Sequence, residues 1–238
     1  MPQRIFIVGG SSGIGLATAR RLVAADHEVV VGGRNGERLE RAADAISGAA
    51  TVQIDASDAG SIAAAFAEVG AIDHLVLALG SSKGAGTLAD LDLEQVRLGF
   101  EEKVFPHIAC AQAALGTLAE RGGITFVSAV TGQAAMPGTA GIGAANAAVA
   151  ALVPILAAEL APRRVNAVSP GVIDTPWWDF LDDDARRDAF EDYAKQTPVG
   201  RVGTADDVAR AISFLVEDGY VTGHVLICDG GMRLGKAA

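Results

Sequence analysis

Four apolar residues, Ile5-Phe6-Ile7-Val8, run into Gly9-Gly10-Ser11-Ser12-Gly13-Ile14-Gly15, and a helical pattern begins at once. Three glycines at this spacing, between a strand and a helix, each answer a steric demand. Gly9 allows a tight turn, Gly13 lets the backbone approach an anionic group, and Gly15 lets helix and strand pack closely. The helix N-terminus adds free N–H groups and a partial positive charge, which places Gly9, Ser11, Ser12, Gly13, Ile14 and Gly15 around a pyrophosphate. A glycine-rich turn with no ligand would look the same in isolation, so the pattern of the downstream chain decides between the two.

Apolar runs and amphipathic stretches alternate along the rest of the chain. Strand-like runs fall at 4–8, 28–32, 51–54, 74–78, 123–127, 164–168 and 225–227. Helix-like segments fall near 13–25, 35–46, 58–69, 92–120, 139–160 and 204–216. Asn35, Ser57 or Asp58, and Thr204 followed by Asp206 and Asp207 are suited to cap three of them. Strand–helix alternation of this kind predicts an α/β fold: one doubly wound parallel sheet of about seven strands, Rossmann-type, flanked by helices on both faces. Such sheets bind ligands at the carboxyl ends of their strands. No repeat or linker divides the chain, so residues 1–238 are expected to form one domain. Its one long interruption, about 174–203, is acidic, carries Trp177, Trp178, Phe180, Phe190 and Tyr193, and reads as an inserted helical flap.

The formal net charge of −10 argues against nucleic acid or an anionic membrane as a partner. Residues 140–158 contain no charge and approach membrane-spanning length. They are mostly Ala and Gly, however, and include Asn146 and Pro154, which suits a helix buried between the sheet and a partner subunit. The leading apolar run is too short for a signal peptide. Cys110 and Cys228 have no paired spacing, and four scattered histidines have no metal-ligand spacing. The expectation is a cytoplasmic protein without a metal.

The end of the second strand discriminates between cofactors. An acidic residue there would bind a ribose 2′-hydroxyl, but the chain reads Gly32-Gly33-Arg34-Asn35. Glycine leaves room, and the Arg34 guanidinium can pair with a 2′-phosphate, which favours NADP(H) over NAD(H). A surface arginine opening a helix is the plainer alternative. Asp55, followed by Ala56, is placed to accept from an adenine amino group or to cap the next helix.

These residues resemble the short-chain dehydrogenase/reductase superfamily over essentially the whole chain. Val8 to Gly15 matches its Thr-Gly-x-x-x-Gly-Ile-Gly motif except at Val8, and Arg164-Val165-Asn166-Ala167-Val168-Ser169-Pro170-Gly171 matches its sixth-strand motif. Val221-Thr222-Gly223 and Asp229-Gly230-Gly231 match its seventh-strand signature. The resemblance implies cofactor contacts from Leu79, Gly80, Pro170, Gly171, Ile173 and Thr175, and Ser128 as the serine that orients substrate. It implies a homodimer or homotetramer through helices 92–120 and 139–160. The catalytic Tyr-x-x-x-Lys motif departs from the pattern: Ile142 takes the tyrosine's place and Asn146 the lysine's. Lys103 stands where the family has its asparagine, so Lys and Asn exchange positions, and no tyrosine precedes Tyr193. The fourth-strand Asn-Asn-Ala-Gly motif is Leu77-Ala78-Leu79-Gly80.

Three functions fit these residues. The first is an NADPH-dependent reductase of a small carbonyl, enone or imine compound, with catalytic residues Ser128, Lys103 and Asn146. Lys103 and Asn146 would meet across adjacent helices, and a desolvated Lys103 would be a stronger acid. The second is a catalytically inactive NADP(H)-binding sensor or subunit. The third is a non-redox lyase, isomerase or cyclase. Trp177, Trp178 and Ile142 are expected to shape the substrate pocket; His107, one helical turn beyond Lys103, either faces the same way or, the plainer reading, packs at a helix interface.

Overall fold

The computed structural model describes residues 2–235. In chain order its main elements are β1 (Arg4–Val8), α1 (Gly13–Ala24), β2 (Glu28–Gly33), α2 (Gly36–Ala45), β3 (Ala50–Gln53), α3 (Ala59–Val69) and β4 (Ile72–Leu77). The middle of the chain forms α4 (Leu93–Gly99), α5 (Phe105–Ala114), β5 (Leu118–Val127), α6 (Ala140–Glu159) and β6 (Arg164–Pro170). Last come β7 (Ile173–Asp174), α7 (Asp183–Gln196), β8 (Gly203–Thr204), α8 (Ala205–Glu217) and β9 (Val225–Cys228). Seven strands form one parallel sheet in the order β3-β2-β1-β4-β5-β6-β9, and β7 pairs separately with β8.

Strand side chains alternate between two cores. Ile5 and Ile7 face α1, α2 and α8, through Leu22, Leu39 and Ile212, while Phe6 and Val8 face α3, α5 and α6, through Phe66, Ala114 and Val149. Both faces of every central strand are covered, which explains the unbroken apolar runs in the sequence. The strand order reverses between β1 and β4, so a crevice opens above their carboxyl ends.

The caps decide where helices start. Asn35 accepts from Arg38 N–H, and Thr204 with Asp207 forms a reciprocal capping box on α8. Of the two candidates before α3 it is Asp58 that caps, accepting from Ser61 N–H at 2.6 Å.

The predicted single helix 92–120 is corrected in two ways. It runs from Leu93 to Ala114 but widens into a π turn at Phe100–Val104, and residues from Leu118 belong to β5. Pro106 explains the π turn: it has no N–H to give, and its ring crowds the carbonyl one turn back, so the helix loosens before it. The Phe105 N–H accordingly reaches back five residues to the Phe100 carbonyl. β5 starts early because Leu118 pairs with Ile72 across a bulge, anchored by the buried Leu118 side chain.

Among the described helices, α6 alone is long and apolar enough to cross a membrane. It lies on the sheet, with Ala145, Val149 and Val153 in the same core as Val165 and Ala167.

Candidate active site

The glycine turn is built as its steric roles require. Gly9 has φ +82°, and a Cβ there would stand 2.5 Å from the Ala78 carbonyl oxygen, at the mouth of the β1–β4 crevice. A Cβ at Gly15 would stand 2.2 Å from the Gly9 carbonyl. Ser12 precedes α1 in extended conformation without a side-chain cap, which leaves the first-turn N–H groups of Gly13 and Ile14 for another partner. Ser11 packs under the end of β2, its Oγ 2.8 Å from where a Gly33 Cβ would be.

Arg34 is exposed at the end of β2, and its carbonyl accepts from Gln53. Asp55 is not the cap of α3. Its Oδ1 accepts from Ser57 N–H and Oγ at 2.9 and 2.6 Å, and these bonds, helped by the nearby Arg34 charge, hold its carboxyl below the usual range. Ala56 behind it is buried. The strand end therefore offers a cation and an ionised carboxylate side by side.

Lys103 sits in the π turn and is 5% exposed. Its ammonium donates to the Leu79 carbonyl at 3.2 Å, just past the end of β4. Burial alone pushes its pKa down to about 8. The neighbouring carboxylates are engaged elsewhere: Glu101 with Arg97, and Glu102 with the Ser81 hydroxyl at 2.7 Å. Next along, Gly80 borders Trp177. His107 is fully buried, with Nδ1 2.6 Å from the Lys103 carbonyl oxygen and Nε2 3.2 Å from that of Leu77. It tilts against Phe126, and burial with the Lys103 charge lowers its pKa to about 3.

Ser128 directly follows β5 and donates from Oγ to the Asn146 main-chain carbonyl at 2.8 Å. Asn146 is 2% exposed on α6; its Nδ2 donates to Thr131 Oγ1 at 2.9 Å and to the Ile142 carbonyl at 3.0 Å. The Ile142 oxygen only accepts, which fixes the amide orientation. Asn146 Oδ1 is left buried with no partner among the described residues. The structure thus brings Ser128, Asn146 and Ile142 together, but Lys103 and Asn146 are not hydrogen-bonded to each other. Their side chains belong to packed helices, and each has spent its protein contacts on main-chain and hydroxyl oxygens. Thr131 also lines an apolar cleft of about 690 Å³ between Leu88, Met136 and Ala144. This cleft lies on the α6 side of the site, away from the glycine turn.

The fourth wall comes from the chain beyond β6. Gly171 follows Pro170 and approaches Asp229 so closely that a Cβ would stand 2.9 Å from its Cα. Ile173 is buried, and the Thr175 side chain lies 3.4 Å from a Cβ built at Gly13, so this segment folds over the glycine turn. Trp177 Nε1 donates to the Ser81 carbonyl across the crevice, and Trp178 Nε1 donates to Ile173. Trp178 packs on Trp177, Phe180, Phe190 and Tyr193.

The comparisons agree with this fold. A family model described as enoyl-(acyl carrier protein) reductase matches residues 8–233. Carbonyl reductase family member 4 of Xenopus laevis is 33% identical over 235 residues, covering 96% of this chain and 97% of the relative. A small-chain dehydrogenase solved in complex with NADPH superposes at TM-score 0.85 and 31% identity, covering 99% of this chain and 100% of that one. ElxO with NADP bound gives 0.89 at 27% identity, covering 98% and 99%.

The chain belongs to the short-chain dehydrogenase/reductase family. It is an oxidoreductase of that family, with the family's Rossmann-like sheet. Three features of this member escaped sequence reasoning: the Leu79 carbonyl as the lysine's partner, the Thr131 hydroxyl behind Asn146, and the His107 contacts. Only the last two left a signal, a hydroxyl in Val130-Thr131-Gly132 and a histidine one helical turn after Lys103.

Proposed function

We propose that the protein is an NADPH-dependent reductase of a small carbonyl, enone or imine compound, with Lys103 as its proton donor. The observation that carries this reading is a buried ammonium, without a carboxylate partner among the described residues, at the end of β4, its pKa lowered to about 8 by burial. Such a group is mostly charged at pH 7 yet gives up its proton readily. It stands where negative charge would develop on a substrate oxygen or carbon, in a setting that strengthens its field.

The residues fit a dinucleotide. Gly9 and Gly15 admit no Cβ, the start of α1 keeps its N–H groups free, and Asn146 Oδ1 needs a donor such as a ribose hydroxyl. NADP(H) is favoured by Arg34 beside a strand end without an acidic side chain, and two similar structures hold NADPH or NADP. When bound, NADPH supplies the hydride. Gly9, Ser11, Ser12, Gly13, Ile14 and Gly15 hold the phosphates, Arg34 and Asn35 the 2′-phosphate, and Asp55, Ala56, Leu79 and Gly80 the adenosine side. Pro170, Gly171, Ile173 and Thr175 hold the nicotinamide side. Asn146 accepts from the ribose, Ser128 orients the substrate oxygen, and Trp177, Trp178 and Ile142 exclude water.

Exposed Phe105 and Ile108 on α5 and Ile155 on α6 are apolar side chains without cover in this chain, which supports a homodimer or homotetramer formed through these helices. Ile142, which has no proton to give, favours one other reading: a member that binds NADP(H) without turnover.

Titration with NADPH and NADH, followed by hydride consumption against ketones, quinones, enones and imines, tests the proposal. Tight NADPH binding with turnover that collapses in Lys103→Ala is the expected result. Tight binding with no turnover on any substrate would favour the non-catalytic reading, and no binding of either nucleotide would overturn both.

A further inference from the structure

We propose that His107 is a positioning residue for Lys103, donating to the lysine's main-chain carbonyl from a ring packed against the carboxyl end of β4. The inference rests on the reading of Lys103 as proton donor.

The contacts share one stretch of backbone. Lys103 Nζ donates to the Leu79 carbonyl at 3.2 Å; the Lys103 carbonyl lies 2.6 Å from His107 Nδ1; His107 Nε2 lies 3.2 Å from the Leu77 carbonyl. Leu77 and Leu79 are two residues apart at the end of β4, so the imidazole packs against the stretch of backbone that the ammonium binds. Neutral imidazole has one N–H, and the shorter contact assigns it to Nδ1, donating to Lys103; Nε2 then has no proton and is packed against the Leu77 carbonyl without a bond. The ring is fully buried and carries no charge at neutral pH.

The local backbone explains why such a tie is needed. Lys103 sits in a π turn, where the helical ladder is offset, and Pro106 contributes no N–H to restore it. A long lysine on a loosened turn has many rotamers, whereas proton delivery requires one direction. The His107 side chain adds a hydrogen bond to the Lys103 carbonyl within this turn. An apolar side chain of similar size would fill the space without this bond.

Among the described residues, no other charge faces the pair. Glu101 is held by Arg97 and Glu102 by Ser81, β4 presents main-chain carbonyls, and α6 presents Asn146 and small apolar residues. A change in Lys103 titration on altering His107 therefore reports position and burial, not a new ion pair.

The test uses the full-length protein and competitive acetylation of lysines across pH 6–10.5, read at Lys103 by peptide mass spectrometry, in wild type, His107→Asn, His107→Gln and His107→Leu. The asparagine amide places an N–H where Nδ1 stands; glutamine moves it outward, and leucine removes it. The expected midpoints are about 8 for wild type and the asparagine variant, and a rise toward the ordinary 10.5 for the other two as Lys103 swings to solvent. Reduction rate at pH 7 should fall on the order of 100-fold in the glutamine and leucine variants, with NADPH affinity unchanged and asparagine restoring most of the rate. Wild-type midpoints and rates in a folded leucine variant would overturn the inference. If leucine does not fold, equal behaviour of asparagine and glutamine overturns it instead. A wild-type midpoint near 10.5, with full activity in Lys103→Ala, would remove the proton-donor reading itself, and this inference with it.

Discussion

Replacing Lys103 with methionine should stabilise the protein while abolishing its reductase activity. The lysine's pKa falls from 10.5 to about 8 on folding because burial disfavours its charge. At about 1.4 kcal/mol per tenfold change in proton affinity, holding the ammonium in the folded state costs about 3 kcal/mol at pH 7. Methionine fills nearly the same volume without that cost, but it leaves the Leu79 carbonyl without its donor, a loss of about 1 kcal/mol. The net gain is about 2 kcal/mol, roughly 4–8 °C in Tm for a domain of this size. The pH dependence is the sharper signature. A lysine with a lowered folded pKa binds fewer protons folded than unfolded between about pH 8 and 10.5, so wild-type stability rises through that window. The variant lacks this rise, and its advantage should shrink by about 2 kcal/mol between pH 7 and 9.5. Urea unfolding of both proteins at the two pH values, without nucleotide, measures it. A variant less stable than wild type at pH 7, or an advantage that does not change with pH, would refute the claim that a charged lysine is buried here.

The glycines make a graded test. Gly15→Ala should cost about 3 kcal/mol or more, because its methyl meets the Gly9 carbonyl with no room to move, and should lose NADPH binding with it. Gly13→Ala meets only the Thr175 and Pro176 side chains, at ordinary contact distance, and a φ of +51°, so it should fold with a loss of about 1 kcal/mol, seen as a small drop in Tm. Arg34→Ala should weaken NADPH roughly 10- to 100-fold in a fluorescence titration and leave NADH unchanged; equal losses for both would deny it a role at the 2′-phosphate. Trp178→Ala removes the ring that joins Trp177, Phe180, Phe190 and Tyr193. Tryptic cleavage at Arg186 and Arg187 should then accelerate about tenfold with little change in global Tm.

Most of the sheet was legible because its strands are buried on both faces and read as unbroken apolar runs, such as Ile5 to Val8 and Val29 to Val31. Caps were legible where one side chain can do the work, as at Asn35 and Thr204. They were ambiguous where two neighbours compete, and Asp58 prevails over Ser57 because Ser57 donates to Asp55 instead. The long segment 92–120 misled because its polar and apolar residues keep helical spacing past Ala114, while Leu118 is drawn into β5 by a partner 46 residues away in sequence, Ile72. Pro106 was visible, but its effect on Lys103 required the chain on both sides. Lys103 and Asn146 are both buried, but they do not bond to each other as a reciprocal pair would. Their partners, the Leu79 carbonyl and Thr131, come from other elements and depend on tertiary packing that no local pattern encodes.

The most direct test of Lys103 as proton donor is the pH dependence of single-turnover reduction by bound NADPH, in wild type and Lys103→Gln. The wild-type rate should be flat below pH 7 and fall tenfold per pH unit above about 8, and Lys103→Gln should be slower by about 100-fold or more at pH 7, with no such limb. A wild-type rate unchanged to pH 9.5, or a glutamine variant as fast as wild type, would contradict it.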